Sequence, residues 1–272
     1  MPSHQARNAP LVILGTGYTG RVVYHQALML RRTVLAASRT PETNLADLPL
    51  DQRFVFDLNR RDTWAAIPSG ADVVWTFPAV PLDSVAAFGR QVGTRMRRLI
   101  VLGSTSAYDN APHTARGDLI DETCPVDLSI PRVQGEEYLR TTYGAIILRV
   151  AGIYGPKRNP LDWIRQGQVG SSDRFVNLIH VGDLAAICLL ALERGVPGES
   201  YNVSDGTPRR WSEIIAFAVS RRGISQPAPD GRPGLGKRLD TRKLQGGLGY
   251  RVRYPDLSSA LDELELNESG PP

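Results

Sequence analysis

Short apolar runs separated by polar or glycine-rich segments characterise the first 150 residues. The first run, residues 11–14, is bounded by a proline and a glycine, which is typical of a strand buried on both faces of a sheet. Apolar residues then recur with helical spacing at Val22, Val23, Ala27 and Leu30. The pattern predicts a strand, a turn and a helix, in that order.

The same alternation continues along the chain. Further apolar runs predict strands at residues 33–37, 53–56, 72–77, 98–102 and 145–150. Strands that alternate with helices form a parallel sheet with crossover helices, so we expect an α/β fold with a doubly wound parallel sheet. A polar loop, residues 109–131, separates the last two of these strands, and a loop of this length is usually functional.

The alternation breaks down after residue 155. Shorter patterns predict a helix at 161–166, a strand at 174–178, a helix at 181–193 and a strand at 200–203. We expect a dinucleotide-binding domain over 1–155, to whose sheet residues 179–204 return, and a smaller C-terminal substrate lobe over 156–178 and 205–264. The segment 226–236 is rich in Pro and Gly and predicts a loop, and residues 265–272 predict a flexible tail.

Composition and charge restrict the class of protein. The chain has 272 residues, 42% of them hydrophobic, which suits one domain with a smaller lobe. Its net charge is +4, but arginines are scattered and no aromatic-interleaved basic block indicates nucleic-acid binding. We interpret the most basic stretch, residues 237–253, as a solvated surface. A small-molecule substrate is therefore the expected partner.

Cysteine and histidine usage predicts neither a disulfide framework nor a metal site. Cys124 and Cys188 lie far apart, and only four histidines are present. Residues 1–9 are polar, and no apolar run reaches the roughly 18 residues that a membrane helix needs. We expect no membrane partner and a cytoplasmic location.

The turn after the first strand has the spacing of a dinucleotide-binding motif. Gly15 permits a tight turn, Gly17 lets the backbone approach a diphosphate, and Gly20 lets the helix pack close to the strand. Tyr18 and Thr19 lie at the helix N-terminus, which would face the anion. Strand, turn and helix in this order predict a Rossmann-type cofactor site.

The end of the second strand indicates which dinucleotide binds. Ser38 and Arg39 follow that strand, where an NAD site would carry Asp or Glu. A guanidinium pairs with a 2′-phosphate, whereas a carboxylate repels it, so the sequence predicts NADP(H). The alternative is a glycine-rich turn before a helix, with a surface arginine after the next strand.

Further motifs follow in a fixed order along the chain. They are Asp57-Leu58, the segment from Gly103 through Ser104 and Thr105 to Tyr108, and the segments 149–156, 177–183 and 201–203. With the glycine turn, these motifs make residues 10–264 resemble an extended short-chain dehydrogenase/reductase of the NAD(P)-dependent epimerase/dehydratase superfamily.

The resemblance implies roles for residues outside the glycine turn. Asp57, followed by Leu58, would contact the adenine of the cofactor. The loop Phe77-Pro78-Ala79 would line the cofactor, and a segment that includes Gly152 and Ile153 would lie beside the nicotinamide. In this family the helices after the fourth and fifth strands often pair two subunits, which implies a possible homodimer.

The sequence departs from the family at its catalytic pair. Members usually carry Tyr and Lys four residues apart, and the Lys lowers the pKa of the phenol. Alignment places Leu128 and Arg132 at these positions, and a shift of one residue gives Ser129 and Val133. Leu14 also stands where most extended members have a further glycine. We interpret the chain as an atypical member to which the tyrosine mechanism does not transfer.

Other residues are candidates for the chemistry. Ser104 and Thr105 match the family's hydroxyl that contacts the substrate oxygen, and Tyr108 is a candidate acid that could equally be structural. Arg132 could hold the cofactor ribose or polarise an oxygen, although arginine cannot deliver a proton near neutral pH. We interpret His180 as a buried structural residue.

Three functions remain open on the sequence alone. The favoured hypothesis is an NADP(H)-dependent oxidoreductase or epimerase/dehydratase-like enzyme that acts on a carbonyl or an alcohol. The second is a catalytically silent NADP(H)-binding sensor or scaffold. The third is a sugar-nucleotide enzyme in the strict sense, for which Arg158, Arg165 and Arg174 could bind a substrate diphosphate.

Overall fold

A seven-stranded parallel sheet lies at the centre of the molecule. The computed structural model describes residues 9–111, 114, 116–231 and 234–268. The strands, in their order across the sheet, are β11 (Ser200–Val203), β7 (Ile146–Val150), β5 (Arg98–Ser104), β4 (Asp72–Trp75), β1 (Leu11–Leu14), β2 (Val34–Ser38) and β3 (Arg53–Val55). Every neighbouring pair is parallel, so the predicted doubly wound sheet is confirmed.

Helices cover both faces of this sheet. The α-helices in the described part of the chain, including those that lie beside the sheet, are α1 (Tyr18–Met29), α2 (Pro41–Asn44), α3 (Leu82–Val92), α4 (Pro131–Tyr143), α5 (Pro160–Arg165), α6 (Val181–Arg194), α7 (Trp211–Arg222) and α8 (Leu257–Glu268). Val23 of α1 and Leu184 of α6 join the core on one face, and Phe88 of α3 and Leu139 of α4 join the core on the other. The buried strands are continuously apolar because both of their faces are covered.

The order of the strands reverses between β1 and β4. In doubly wound sheets a cleft opens at such a point, beyond the carboxyl ends of the strands, because the two connections leave on opposite faces. Gly15 follows β1 and Thr76 follows β4, so the glycine turn lies at this cleft. The topology therefore places the predicted cofactor site where this fold binds its ligands.

A smaller apolar cluster lies beside the sheet and includes Leu161 of α5, Trp211 of α7 and Leu261 of α8. Three two-stranded pairs accompany it: β8 (Gly152–Tyr154) with β10 (Leu178–His180), β9 (Phe175–Val176) with β12 (Arg209–Arg210), and β6 (Leu119–Ile120) with β13 (Arg238–Leu239). These elements come from the segments expected in the substrate lobe. The exact division at residue 155 stays a prediction.

Three local expectations need correction. The strand expected at 174–178 is two strands, β9 and β10, which pair with different partners. The loop 109–131 contains β6, whose partner β13 lies more than a hundred residues further along the chain. Residues 265–268, expected in the flexible tail, continue α8, where Glu265 pairs with Arg165 and Arg222, and residues 269–272 lie outside the described residues. Each correction reflects a contact between distant segments, which local patterning does not contain.

The described residues offer neither a membrane-spanning helix nor a cluster of metal ligands. None of the helices in residues 9–268 that the structure describes is long and apolar enough to cross a membrane. The same residues contain no group of three or more His, Cys, Asp and Glu side chains that could hold a metal ion.

Candidate functional site

The glycine turn has the geometry that a dinucleotide site needs. Gly15 has a φ of +86°, which L side chains rarely adopt, and a methyl group there would lie 2.7 Å from Phe77 Cδ1. A methyl group on Gly20 would lie 2.8 Å from the carbonyl oxygen of Gly15, so α1 packs directly on the turn. By contrast, no atom lies within 4 Å of the Cβ position of Gly17. The backbone at Gly17 therefore faces open space at the N-terminus of α1, where a diphosphate fits.

A groove of about 890 Å³ begins at this turn. It brings together most of the residues predicted to bind the cofactor, namely Gly15, Gly17, Tyr18, Thr19, Ser38, Arg39, Asp57, Leu58, Phe77, Pro78 and Ile153. Most of these residues lie at or just after the carboxyl ends of β1, β2, β3 and β4, which reach the same edge of the sheet, whereas Ile153 lies within β8. The groove extends from the turn to the end of β2, as an elongated ligand requires.

One end of the groove carries an available cation. Arg39 is exposed there and forms no ion pair within the described part of the chain. Arg21 also lines the groove, but both of its Nη atoms bond to Asp47, at 2.7 and 3.0 Å. The Ser38 hydroxyl accepts a hydrogen bond from Asn44 Nδ2 at 3.1 Å. Arg39 therefore differs from Arg21 in having its charge uncompensated.

A second cavity, of about 220 Å³, adjoins the groove near the carboxyl end of β5. The two share Thr19, Thr76, Phe77, Pro78 and Ile153 as lining residues. The cavity adds Leu102, Gly103, Ser104, Arg132, Val150 and Ala151. Ser104 and Arg132, which the sequence singled out from segments 28 residues apart, thus line the same small space.

Arg132 is held in this cavity by a buried carboxylate. Its Nε donates to Glu136 Oε1 at 3.0 Å, one turn further along α4. Glu136 is only 1% exposed, and burial raises its pKa while Arg132 opposes that rise. A methyl group on Gly103 would lie 2.7 Å from Glu136 Oε2. The absence of a side chain at Gly103 therefore lets the carboxylate lie against β5 beneath the cavity.

Tyr108 does not lie in the cavity. Its side chain is completely buried, its hydroxyl donates to Asn202 Oδ1 at 2.9 Å, and it accepts from Arg149 Nη1 at 2.6 Å. Burial raises the pKa of Tyr108 to about 12, although Arg149 acts in the opposite direction. The proposal of Tyr108 as the acid is thus corrected: the residue joins β7, β11 and the loop after β5.

Replacing Tyr108 by Phe should lower stability without changing cofactor affinity. The change leaves Arg149 and Asn202 with unpaired buried groups, and an unsatisfied buried group costs about 1–3 kcal/mol. Urea denaturation followed by circular dichroism measures the loss, and fluorescence titration measures NADPH affinity. Unchanged stability together with a tenfold loss of turnover would contradict this structural role.

Comparison with known proteins puts these observations in a family context. No protein-family model matches the chain. The Escherichia coli K12 protein YeeZ is 28% identical over 172 residues, or 60% of each protein. The human epimerase family protein SDR39U1 is 29% identical over 134 residues, which cover 44% of this chain and 46% of that protein. The chain therefore matches less than two thirds of the length of these relatives.

Solved structures extend the likeness to the whole chain. A protein of Methylobacillus flagellatus assigned to the NAD-dependent epimerases/dehydratases has a TM-score of 0.77 at 26% identity, covering 97% of this chain and 99% of that one. The chain is thus similar to epimerase-family proteins in part of its sequence and to a protein assigned to the NAD-dependent epimerases/dehydratases in its whole fold. A short-chain dehydrogenase/reductase superfamily protein of Agrobacterium tumefaciens with bound NAD has a TM-score of 0.77 at 15% identity, covering 96% and 97%, and shows the same fold.

The cavity differs from the site that the resemblance to short-chain dehydrogenases/reductases implies. Among the described residues that line it there is neither a tyrosine nor a lysine. Leu128, aligned with the family's tyrosine, is 56% exposed and lies outside the cavity lining, whereas Arg132, aligned with its lysine, is part of that lining. Of the two positions aligned with the family's catalytic pair, only the lysine position therefore contributes a side chain to the cavity.

Several other expected site residues do not line the groove or the cavity. Ala79 is buried, and its carbonyl oxygen lies against Gly135 of α4, so that Val80 lines the groove instead. Thr105 is also buried, at the start of a 3₁₀ turn, and does not line the cavity that Ser104 lines. Gly152 pairs with Leu178 in the β8–β10 ladder and leaves the lining to Ile153.

Some groove residues escaped sequence reasoning. Arg21, Asn44, Thr76 and Val80 line it without belonging to any motif used above. Arg158, which the sequence analysis considered for a substrate diphosphate, lines it too, with its guanidinium 5.1 Å from the Tyr18 ring centre. Thr76 could have been found from its position directly after β4. The other two arginines considered for a diphosphate lie elsewhere: Arg165 pairs with Asp162 and Glu265, and Arg174 donates to the carbonyl of Gly234.

Proposed function

We propose that this protein binds NADP(H) and transfers a hydride between the nicotinamide and the carbonyl or alcohol carbon of a small substrate. The observation that carries the proposal is that the groove and the cavity join. They share lining residues from α1, from the loop after β4 and from β8. A cofactor lying along the groove would have its adenosine near Arg39 and its other end near Ser104. The NAD bound by the Agrobacterium neighbour supports the cofactor class.

The residues present fit the cofactor. Gly17 and the N-terminus of α1 would hold the diphosphate, Arg39 the 2′-phosphate, and Asp57 the adenine. The nicotinamide supplies the hydride when the cofactor is bound. The phosphate preference rests on Arg39, because no acidic residue follows β2 directly to repel a phosphate.

Ser104 is the residue that would orient the substrate oxygen. Its Oγ accepts a hydrogen bond from the backbone nitrogen of Ser106 at 3.1 Å, which leaves its own hydrogen available to donate into the cavity. Arg132 would polarise the same oxygen or bind a neighbouring group. Because no described residue that lines the cavity carries a phenol, the proton would come from water, and we expect slow turnover.

NADPH oxidation with a panel of aldehydes, ketones and oxo acids tests the proposal. On a substrate found this way, Ser104→Ala should lower kcat at least tenfold, because a positioned hydrogen bond to the reacting oxygen is lost. Ser106→Ala is the matched control, since that side chain does not line the cavity. Equal rates for both variants and the unmodified protein would rule out Ser104 as the orienting group.

The second candidate is a catalytically silent NADP(H)-binding protein. The absence of tyrosine and lysine from the described cavity lining favours it. Tight NADPH binding without oxidation by any member of the panel would establish this second function. Failure to bind either dinucleotide would overturn both.

A further inference from the structure

We propose that the substrate is an oxo acid, and that Arg132 binds the carboxylate adjacent to its reacting carbonyl. This inference rests on the proposed function and narrows its substrate class. Reduction of a 2-oxo acid would take one hydride from NADPH and one proton from water, giving a 2-hydroxy acid and NADP⁺. The arguments come from the charge, the donors and the size of the cavity.

Arg132 is the only charged side chain among the described residues that line the cavity. The remaining side chains that line it are apolar or carry a single hydroxyl, as in Ser104, Thr19 and Thr76. The first turn of α4, which contains Arg132, has no acidic residue to offset the positive end of the helix. Glu136 pairs with the Nε side of Arg132, so a ligand that enters this space meets the Nη donors of Arg132 and the Ser104 hydroxyl, an arrangement that suits an anion.

The guanidinium is also oriented for a second carboxylate. Only its Nε is used, for Glu136, and neither Nη atom bonds to another described residue. The buried Glu136 anchors the group from below, and Gly103 and Gly135 provide the close backbone approach that brings α4 against β5 and the β4 loop. A planar guanidinium with two remaining Nη groups matches a carboxylate better than it matches a single ribose hydroxyl.

Cavity size links the carboxylate to the reacting carbonyl. The space is small, at about 220 Å³, and both Ser104 and Arg132 line it. Ser104 and Arg132 therefore act on one small group, so the carbonyl that Ser104 orients and the anion that Arg132 binds are neighbours in the substrate. A 2-oxo acid has this arrangement.

Binding of oxamate, a non-reducible 2-oxo acid analogue, tests the inference independently of turnover. Calorimetric titration of the NADPH-saturated protein should show oxamate binding at least tenfold more tightly than neutral methyl oxamate. Arg132→Met should abolish this preference, and Arg132→Lys should retain part of it. Arg140→Met is the matched control, because Arg140 lies on the same helix and pairs with Glu137 outside the cavity.

Removal of Arg132 alone leaves Glu136 buried without its partner, so Arg132→Met is also made together with Glu136→Gln. The inference is overturned if oxamate and its ester bind alike or if oxamate does not bind. It is also overturned if Arg132→Met, alone or combined with Glu136→Gln, changes NADPH affinity but not oxamate affinity, because Arg132 then serves the cofactor. NADPH binding by fluorescence is measured first, and its absence overturns the proposed function separately.

Discussion

Replacing Gly17 by Val should weaken binding of both NADPH and NADH at least a hundredfold while leaving the fold intact. No atom lies within 4 Å of the Cβ position of Gly17, and its φ of −86° is negative, so the side chain has room in the protein. That room is the space the diphosphate would occupy. Loss of two charge-assisted hydrogen bonds, at about 1.5–3 kcal/mol each, accounts for the expected factor.

Gly246→Val provides the matched control for this change. Its Cβ position is equally open, its φ is not positive, and it does not line the groove. Fluorescence titration with both cofactors, together with thermal denaturation of each variant, separates binding from folding. If Gly17→Val binds NADPH as the unmodified protein does, the glycine turn is not the diphosphate site.

Replacing Arg39 by Asp should reverse the cofactor preference on which the proposed function rests. NADPH affinity should fall roughly ten- to a hundredfold, because a charge-assisted contact worth about 1.5–3 kcal/mol is replaced by repulsion. NADH affinity should rise, since the new carboxylate accepts hydrogen bonds from the ribose hydroxyls. The ratio of the two dissociation constants, measured at one salt concentration, reports the reversal.

Arg251→Asp makes the same change of charge at an exposed arginine outside the groove. It controls for the general effect of net charge on binding an anionic cofactor. Arg21 should not substitute for Arg39, because its bonds to Asp47 already occupy its charge. Equal affinities for NADPH and NADH in the unmodified protein would contradict the assignment of Arg39 to a 2′-phosphate.

The contrast between Tyr108 and Arg132 illustrates how burial decides a role. Both are polar residues close to the end of a buried strand or the start of a helix, and both were candidates for the chemistry. Tyr108 bonds to Asn202 and Arg149, which come from distant strands, and is thereby withdrawn from solvent. Arg132 keeps its Nη atoms beside the cavity because Glu136 binds only its Nε.

The sheet and the glycine turn were predictable from sequence because their determinants are local. A strand such as β1, buried on both faces, is a continuous apolar run, and Gly15, Gly17 and Gly20 have their spacing within six residues. The fold class was predicted from the order of strands, glycine turn and helices, which resembles that of known short-chain dehydrogenases/reductases. Arg39 was predicted as a cofactor-binding residue solely because it directly follows β2.

Only the tertiary structure decided which polar side chains face the cavity. The pairing of β6 with β13 joins segments more than a hundred residues apart, and the hydroxyl of Tyr108 bonds to residues 41 and 94 positions away. The close approach of α4, permitted by Gly103 and Gly135, brings Arg132 into the space beside Ser104. Sequence patterns record periodicity along one segment, whereas burial and charge at a site depend on contacts between segments.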